Sequence, residues 1–324
     1  MVMTDQFVVR IEEILWPEGP RQNIWMILDG ARSIEIFRML LACHLEYACL
    51  YSGTLTPDLE MAAPYLVQLD HGYRDTHHLI QQAWGNSWGV FLRSDTSLKK
   101  LRRHLREFLV VRDTKGKRMV FRYYDPRVLR VYLPTCEAGE LRTFLGPIHL
   151  FWTEGNVLED ILEFRSDRGS LVRRTISLDS RSFPEPHPAG SGQNLEPEIS
   201  LRSGTLTMRP SQLAEFSRVE VDKFKSWILV HLHKFFPREC QSAGETQLQD
   251  TIKYGIKRAA SYGITSKRDV CKYIDLMVLL GREFETDQRF PAAANILRQP
   301  IPADSRIGSL VKYVTSILRG SRSA

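Results

Sequence analysis

The sequence predicts an α+β architecture: an N-terminal mixed-sheet α/β domain followed by an all-helical C-terminal domain. Three observations point to it. From about Ile24 to Gly155, short apolar runs alternate with helical patterns. From Pro210 to Leu318 the apolar spacing is helical throughout. Between them, Arg181-Ser-Phe-Pro-Glu-Pro-His-Pro-Ala-Gly-Ser-Gly192 has no periodicity and too little apolar surface to offset chain entropy. We therefore assign residues 1–165 to the α/β domain, 166–207 to a flexible linker and 208–324 to the helical domain. A chain of 324 residues suits two cores better than one.

Trp25-Met-Ile-Leu28 reads as a buried strand stopped by Asp29-Gly30. Ser33 can cap a helix through Cys43, with Ile34, Phe37, Leu40 and Leu41 on one face. Ala48–Tyr51 and Tyr65–Leu69 are strand-like, and Asp75–Trp84 is helical up to Gly85. Trp88–Leu92 is a further strand, after which Thr96 or Ser97 caps a helix through Phe108. Val110–Asp113 and Arg118–Tyr124 flank Thr114-Lys-Gly-Lys117 as a β-hairpin. Helices at Pro126–Leu133 and Glu140–Leu145 precede a strand at Ile148–Trp152. In the C-terminal half, Phe216, Val219, Phe224, Trp227, Ile228 and His231 share a helical period. Leu248, Ile252, Ile256 and Ala259 repeat it, and Ser266 with Asp269 resembles a capping box before Val270, Ile274, Met277, Val278 and Leu280.

The composition is that of an ordinary globular chain, 43% hydrophobic and 25% charged. The opening residues show no basic region followed by an apolar run, and no apolar stretch is long enough to span a bilayer. The five cysteines are odd in number, widely spaced and without a C-x-x-C pair, as expected of reduced thiols in a cytoplasm. Charge is unevenly placed. Between Arg93 and Arg130 thirteen Lys and Arg face four Asp and Glu, a net +9 against +6 for the whole chain. A surface of that density suits an anionic partner face.

Four patterns bear on chemistry. Gly85-Asn-Ser-Trp-Gly89 matches G-x-S-x-G, the motif that raises a hydrolase serine on a strand-to-helix turn. Here a helix precedes and a strand follows, and no oxyanion-hole loop lies upstream. The favoured reading is structural: Gly85 stops a helix, Gly89 opens a strand, and Trp84 and Trp88 pack inward. A serine hydrolase using Ser87 is the alternative. Second, Asp70, His71, Asp75, His77 and His78 cluster, but neighbouring histidines on a helix point about 100° apart, so a polar loop and a helix start are expected rather than a metal site. No other pattern calls for a metal or cofactor, and none is expected. Third, the helix 97–108 has an apolar stripe of Leu98, Leu101, Leu105 and Phe108, with Lys99, Lys100, Arg102, Arg103 and Arg106 on its other sides. This is either a solvated face or a docking surface. A nucleic-acid-binding module is the alternative, but no helix-turn-helix, zinc finger or interleaved stacking aromatics accompany it. Finally, Asp125 is a good N-cap and Pro126 fits the first helical position. Arg127 and Arg130 then lie near a helix start, an electrostatic misfit unless they pair with Asp125 or meet a partner.

Leu28-Asp-Gly-Ala-Arg32, Leu50-Tyr-Ser-Gly53, Ala63-Pro-Tyr-Leu-Val67, Trp84-Gly-Asn-Ser-Trp-Gly-Val-Phe-Leu92, Leu101-Arg-Arg-His-Leu105, Phe121-Arg-Tyr-Tyr-Asp-Pro-Arg-Val-Leu129, Leu133-Pro-Thr135 and Phe144-Leu-Gly-Pro147 follow in that order. Together, over roughly Ile24 to Glu154, they resemble the type VI secretion adaptor-chaperone family, the Tap or Tec proteins. Pro237-Arg-Glu-Cys240, Ala259-Ala-Ser-Tyr-Gly-Ile-Thr-Ser266 and Asp269-Val-Cys-Lys-Tyr-Ile-Asp-Leu-Met277 resemble an extension found in part of that family. The resemblance implies a non-enzymatic cytoplasmic chaperone that binds a toxic effector and the VgrG spike protein, with room for a co-chaperone, and without nucleic acid or membrane insertion. It transfers no contact residues. Charge and surface logic alone select Lys99, Arg102, Arg103, Arg106, Arg127 and Arg130 as partner-binding candidates.

Overall fold

The computed structural model describes residues 4–17, 19, 22–179 and 206–320. The chain divides into two compact units, Met1–Phe216 and Ser217–Ala324. The first contains α1 (Asp5–Leu15), β1 (Ile24–Asp29), α2 (Ile34–Ala42), β2 (Tyr47–Cys49), α3 (Pro57–Met61), β3 (Pro64–Leu69), α4 (Arg74–Ala83), β4 (Gly89–Arg93), α5 (Leu98–Arg106), β5 (Val110–Asp113), β6 (Arg118–Val120), α6 (Pro126–Tyr132), α7 (Ala138–Leu145), β7 (Leu150–Glu154), β8 (Asp160–Asp167), β9 (Ser170–Ser177) and β10 (Thr207–Met208).

Seven strands form one sheet in the order β2-β3-β1-β4-β7-β8-β9, and every pairing in it is antiparallel. The βαβ-like alternation has a simple basis. Strands β3 and β4 run parallel to each other across α4, but β1 lies between them and opposes both. The parallel pairing is confined to a small second sheet, in which β10 joins the β5–β6 hairpin along β5.

Both faces of the large sheet are covered, with the side-chain period of two that a strand imposes. Met26, Leu28, Val67, Phe91 and Trp152 enter one core beside Val8, Ile11, Ile36, Leu40 and Ile80. Trp25, Ile27, Leu66, Val90 and Phe151 enter the other beside Leu101, Leu105, Leu129, Tyr132 and Phe144. The result is a helix–sheet–helix sandwich whose central strand β1 is buried along its whole length. In α2 the buried positions are Ile36 and Leu40, whereas Ile34 and Leu41 are exposed, so the helix is turned from the face the sequence suggested.

The assignment of 166–207 to a linker is corrected at both ends. Strand β8 runs to Asp167, and Arg168-Gly169, both at positive φ, turn the chain into β9. The turn signal Asp167-Arg-Gly-Ser170 was present, but Leu171-Val-Arg-Arg-Thr-Ile176 alternates too weakly to mark a strand by itself. Thr207 and Met208 are likewise in a strand. The Pro/Gly/Ser-rich stretch 181–192 lies outside the described residues.

The division between the units falls within α8 (Pro210–Phe235). The second unit continues through α9 (Pro237–Ala243), α10 (Glu245–Ser261), α11 (Lys267–Leu280), α12 (Ala293–Leu297) and α13 (Ala303–Gly320). Its core joins Phe224, Ile228 and Leu232 to Ile252, Ile274, Met277, Phe284 and Leu310. Trp227, expected in that core, is instead 53% exposed. Ser266 caps α11 by accepting from the Asp269 N–H. Glu285 is buried and receives Arg258 Nε at 2.6 Å and the Tyr273 hydroxyl at 3.1 Å. No helix among the described residues is long and apolar enough to cross a membrane.

Candidate functional site

The register brings one end of each central strand together: Asp29 opposite Pro64, Leu28 opposite Gly89, and the Gly89 end of β4 beside the Glu154 end of β7. Several segments that are far apart in sequence meet there. Asp29 ends β1 and is 1% exposed. Its backbone N–H donates to the Trp88 carbonyl at 2.7 Å, and one carboxylate oxygen accepts from Arg122. The other oxygen has no side-chain hydrogen-bond partner among the described residues. Burial pushes the Asp29 carboxyl above its ordinary value, more than the Arg122 guanidinium lowers it.

Helix α6 starts at the same end. Asp125 accepts the Arg127 N–H as N-cap, with Pro126 in the first turn. Arg127 folds back on the cap, giving Nε to Oδ1 at 2.9 Å and Nη2 to Oδ2 at 2.6 Å. Burial alone would raise the Asp125 carboxyl, but the bonds from Arg127 outweigh it and hold it below its ordinary value. This bidentate pair removes the misfit between Arg127 and the helix dipole. Arg130 lies one turn on and donates to the Glu154 carbonyl at 2.9 Å and to the Gly155 carbonyl. It ties α6 to the end of β7.

Glu154 in turn organises the G-x-S-x-G turn. Its carboxylate accepts the Gly85 N–H at 2.7 Å and the Ser87 hydroxyl at 2.5 Å. Gly85 has φ +79° and a Cβ there would lie 2.6 Å from Leu158 Cδ2. A Cβ at Gly89 would lie 2.0 Å from the Ile27 carbonyl oxygen, so β1 and β4 can approach only at glycine. Trp84 and Trp88 are both buried, and Trp84 Nε1 donates to the Leu158 carbonyl. Ser87 adopts a positive φ of 52°, as a strained nucleophile would. Its partner is nevertheless a carboxylate, and α4 precedes it while β4 follows, the reverse of a nucleophile turn.

The end of the sheet thus carries half-exposed guanidinium groups on a buried acidic base. The side chains of Arg122 and Arg127 are 41% and 38% exposed, whereas Asp29 and Asp125 are buried beneath them. Such an array holds donors at fixed positions toward solvent and can receive carbonyl or carboxylate oxygens of a docked chain.

The basic helix α5 is a second feature, with its cations in different states. Lys99 and Arg103 are exposed, Arg106 is half-buried, and none has an ion-pair partner among the described residues. Arg102 is committed inward, with Nε at 2.6 Å from the Cys49 carbonyl and Nη2 at 3.1 Å from that of Tyr51. Lys99 and Arg102 line a cleft of about 680 Å³ with Trp25, Glu46 and Gln68. His104 packs edge-on against Phe108, and burial lowers its pKa despite its bond to the Phe144 carbonyl. Of the six candidate cations, Arg102, Arg127 and Arg130 therefore have internal partners, whereas Lys99, Arg103 and Arg106 have no ion-pair partner among the described residues.

The Asp70–His78 cluster does not converge. Asp75 accepts the His44 N–H, His77 lies near Glu12, and His71 packs on Trp16. Sequence reasoning passed over Arg122 and Asp29, which sit in quoted motifs but are 93 positions apart. It also passed over Glu154, whose role depends on strand register.

Residues 24–143 match the family model described as a domain of unknown function (DUF4123), a domain family linked to type VI secretion effector adaptors. The matched segment opens at the first residue of β1 and closes within α7. It includes Asp29, Ser87, Arg122, Asp125 and Arg127, while Glu154 lies beyond it. No curated protein matches the chain, and no solved structure does.

Proposed function

We propose that the chain is a non-enzymatic adaptor-chaperone of a type VI secretion system, which holds a toxic effector and loads it onto the VgrG spike from the cytoplasm. The observation that carries this reading is the end of the sheet. There, motifs of the matched segment converge on paired arginines and buried carboxylates, and the Ser87 hydroxyl is held by the Glu154 carboxylate. A rigid array of hydrogen-bond donors suits recognition of a folded partner. The exposed cations of α5 supply a second, electrostatic contact, suited to steering an acidic surface. A co-chaperone fits the same scheme.

The test is co-purification from the source bacterium of full-length chain with spike and effector, followed by calorimetry with the purified partners. Arg127→Lys and Arg122→Lys, which keep a cation over the buried Asp125 and Asp29 but lose the planar fork, should each weaken binding of one partner with circular dichroism unchanged. Binding of neither spike nor effector by the intact chain would refute the proposal.

A further inference from the structure

In the helical unit, three side chains of ligand type converge that the adaptor reading does not use. Cys271 and Asp275 stand four residues apart on α11, on one face of the helix. His231 reaches them from α8, with Nε2 at 3.0 Å from Asp275 Oδ1. The Cys271 sulfur, a His231 ring nitrogen and an Asp275 oxygen all lie within 4.8 Å of one another. We propose that His231, Cys271 and Asp275 form a site for a divalent transition metal, of which zinc fits best, and that the ion clamps α8 to α11.

The donor set decides the metal. A thiolate, an imidazole and a carboxylate suit a borderline ion such as zinc, whereas magnesium and calcium select oxygen alone. Donors around a tetrahedral zinc stand about 3.4–3.6 Å apart. The present spread closes to that by side-chain rotation, with the His231–Asp275 bond opening slightly and the thiol moving in. Three protein ligands leave a fourth position for water. Access exists: the His231 and Asp275 side chains are 20% and 22% exposed, while Cys271 is buried behind them. The imidazole is also held in orientation, stacked on Trp227 at 5.5 Å and packed against Phe235 at 4.7 Å. The competing explanation is a plain His–Asp hydrogen bond beside a core cysteine. It makes a different forecast, because it gives the sulfur no part.

The experiment uses the full chain, stripped with chelator and titrated with cobalt(II) and with zinc(II). A saturable one-to-one site should appear, with tetrahedral visible bands and a sulfur-to-cobalt charge-transfer band in the near ultraviolet. Zinc should displace the cobalt and raise the melting temperature of the helical unit. Cys271→Ser should abolish the charge-transfer band, and His231→Ala should weaken zinc binding at least about a hundredfold, beyond the loss typical of an outer-shell partner. His233→Ala, at a histidine paired with Glu245, should change nothing. A cobalt spectrum of the intact chain without the sulfur band, or zinc binding untouched by Cys271→Ser, overturns the proposal whether or not any variant folds poorly.

Discussion

The Ser87 hydroxyl donates to the buried carboxylate of Glu154 at 2.5 Å, and the other oxygen of that carboxylate holds the Gly85 N–H. One side chain from β7 thereby fixes the turn between α4 and β4. Glu154→Ala should cost about 1–3 kcal/mol, read as a lower urea midpoint, because it strands two donors at once. Ser87→Ala should cost less, because the Gly85 bond survives. A fluorophosphonate probe should leave the protein unlabelled. Labelling that disappears in Ser87→Ala would restore the hydrolase reading.

This site was only half legible in the sequence. The local parts could be read: Asp125 as N-cap, Pro126 in the first turn, Gly85 and Gly89 bracketing a turn. Each depends on residues within a few positions of one another. The long-range links could not be read, because the Arg122–Asp29 ion pair and the Arg130 bond to the Glu154 carbonyl follow from strand order and register. The same limit applies to the fold. The run Trp25-Met-Ile-Leu28 identified a strand buried on both faces, but nothing in it says that both neighbours oppose it. Trp227 shows the converse error: its spacing fits a buried stripe, yet the buried line of α8 runs through Phe224, Ile228 and Leu232.

The α5 surface should be tested without Arg102. That guanidinium binds the Cys49 and Tyr51 carbonyls, so Arg102→Glu would disturb β2 rather than a docking face. Reversing Lys99, Lys100 and Arg103 to Glu should leave circular dichroism native. Association with an acidic partner should slow, and wild-type binding should weaken as salt rises. Unchanged binding at low salt would mean that the cations are only a solvated face.

Arg209 beside β10 donates Nε to Glu140 Oε1 at 2.8 Å and Nη2 to the Thr135 carbonyl at 2.6 Å. Burial alone would raise the Glu140 carboxyl, but the bonds from Arg209 and the Glu137 N–H outweigh it and hold it below its ordinary 4.5. A carboxyl depressed by folding contributes stability that is present above its unfolded pKa and lost as pH falls through the folded value. Arg209→Ala should therefore lower the urea midpoint near pH 7, and the difference from wild type should shrink at about pH 3. A difference that is constant across that range would assign the role of Arg209 to its carbonyl bond.

In the helical unit, Arg258→Ala should be severe. It leaves Glu285 buried with, among the described residues, the Tyr273 hydroxyl alone as partner, and removing one member of a buried pair costs about 3–5 kcal/mol. Tyr273→Phe should cost about 1 kcal/mol, since the ion pair remains. Both are read from thermal melting of the full chain. Equal effects of the two changes would show that the ion pair is not the dominant contact.

Truncation gives the sharpest test of where the first unit ends. A fragment ending at residue 165 removes β9 and the last residues of β8. Ile161, Leu162 and Phe164, all buried, would then lie on an exposed sheet edge, a template for pairing between chains. It should aggregate on expression. A fragment ending at residue 179 restores β9 but lacks β10, so Met208 leaves its core and Glu140 loses Arg209. It should be soluble and melt lower than a fragment ending at 216, which keeps β10 and the Leu213 and Phe216 contacts of early α8. Gel filtration and thermal melting rank the three. A well-behaved 1–165 fragment, as stable as 1–216, would show that β9 and β10 are dispensable and that the first unit closes at β8.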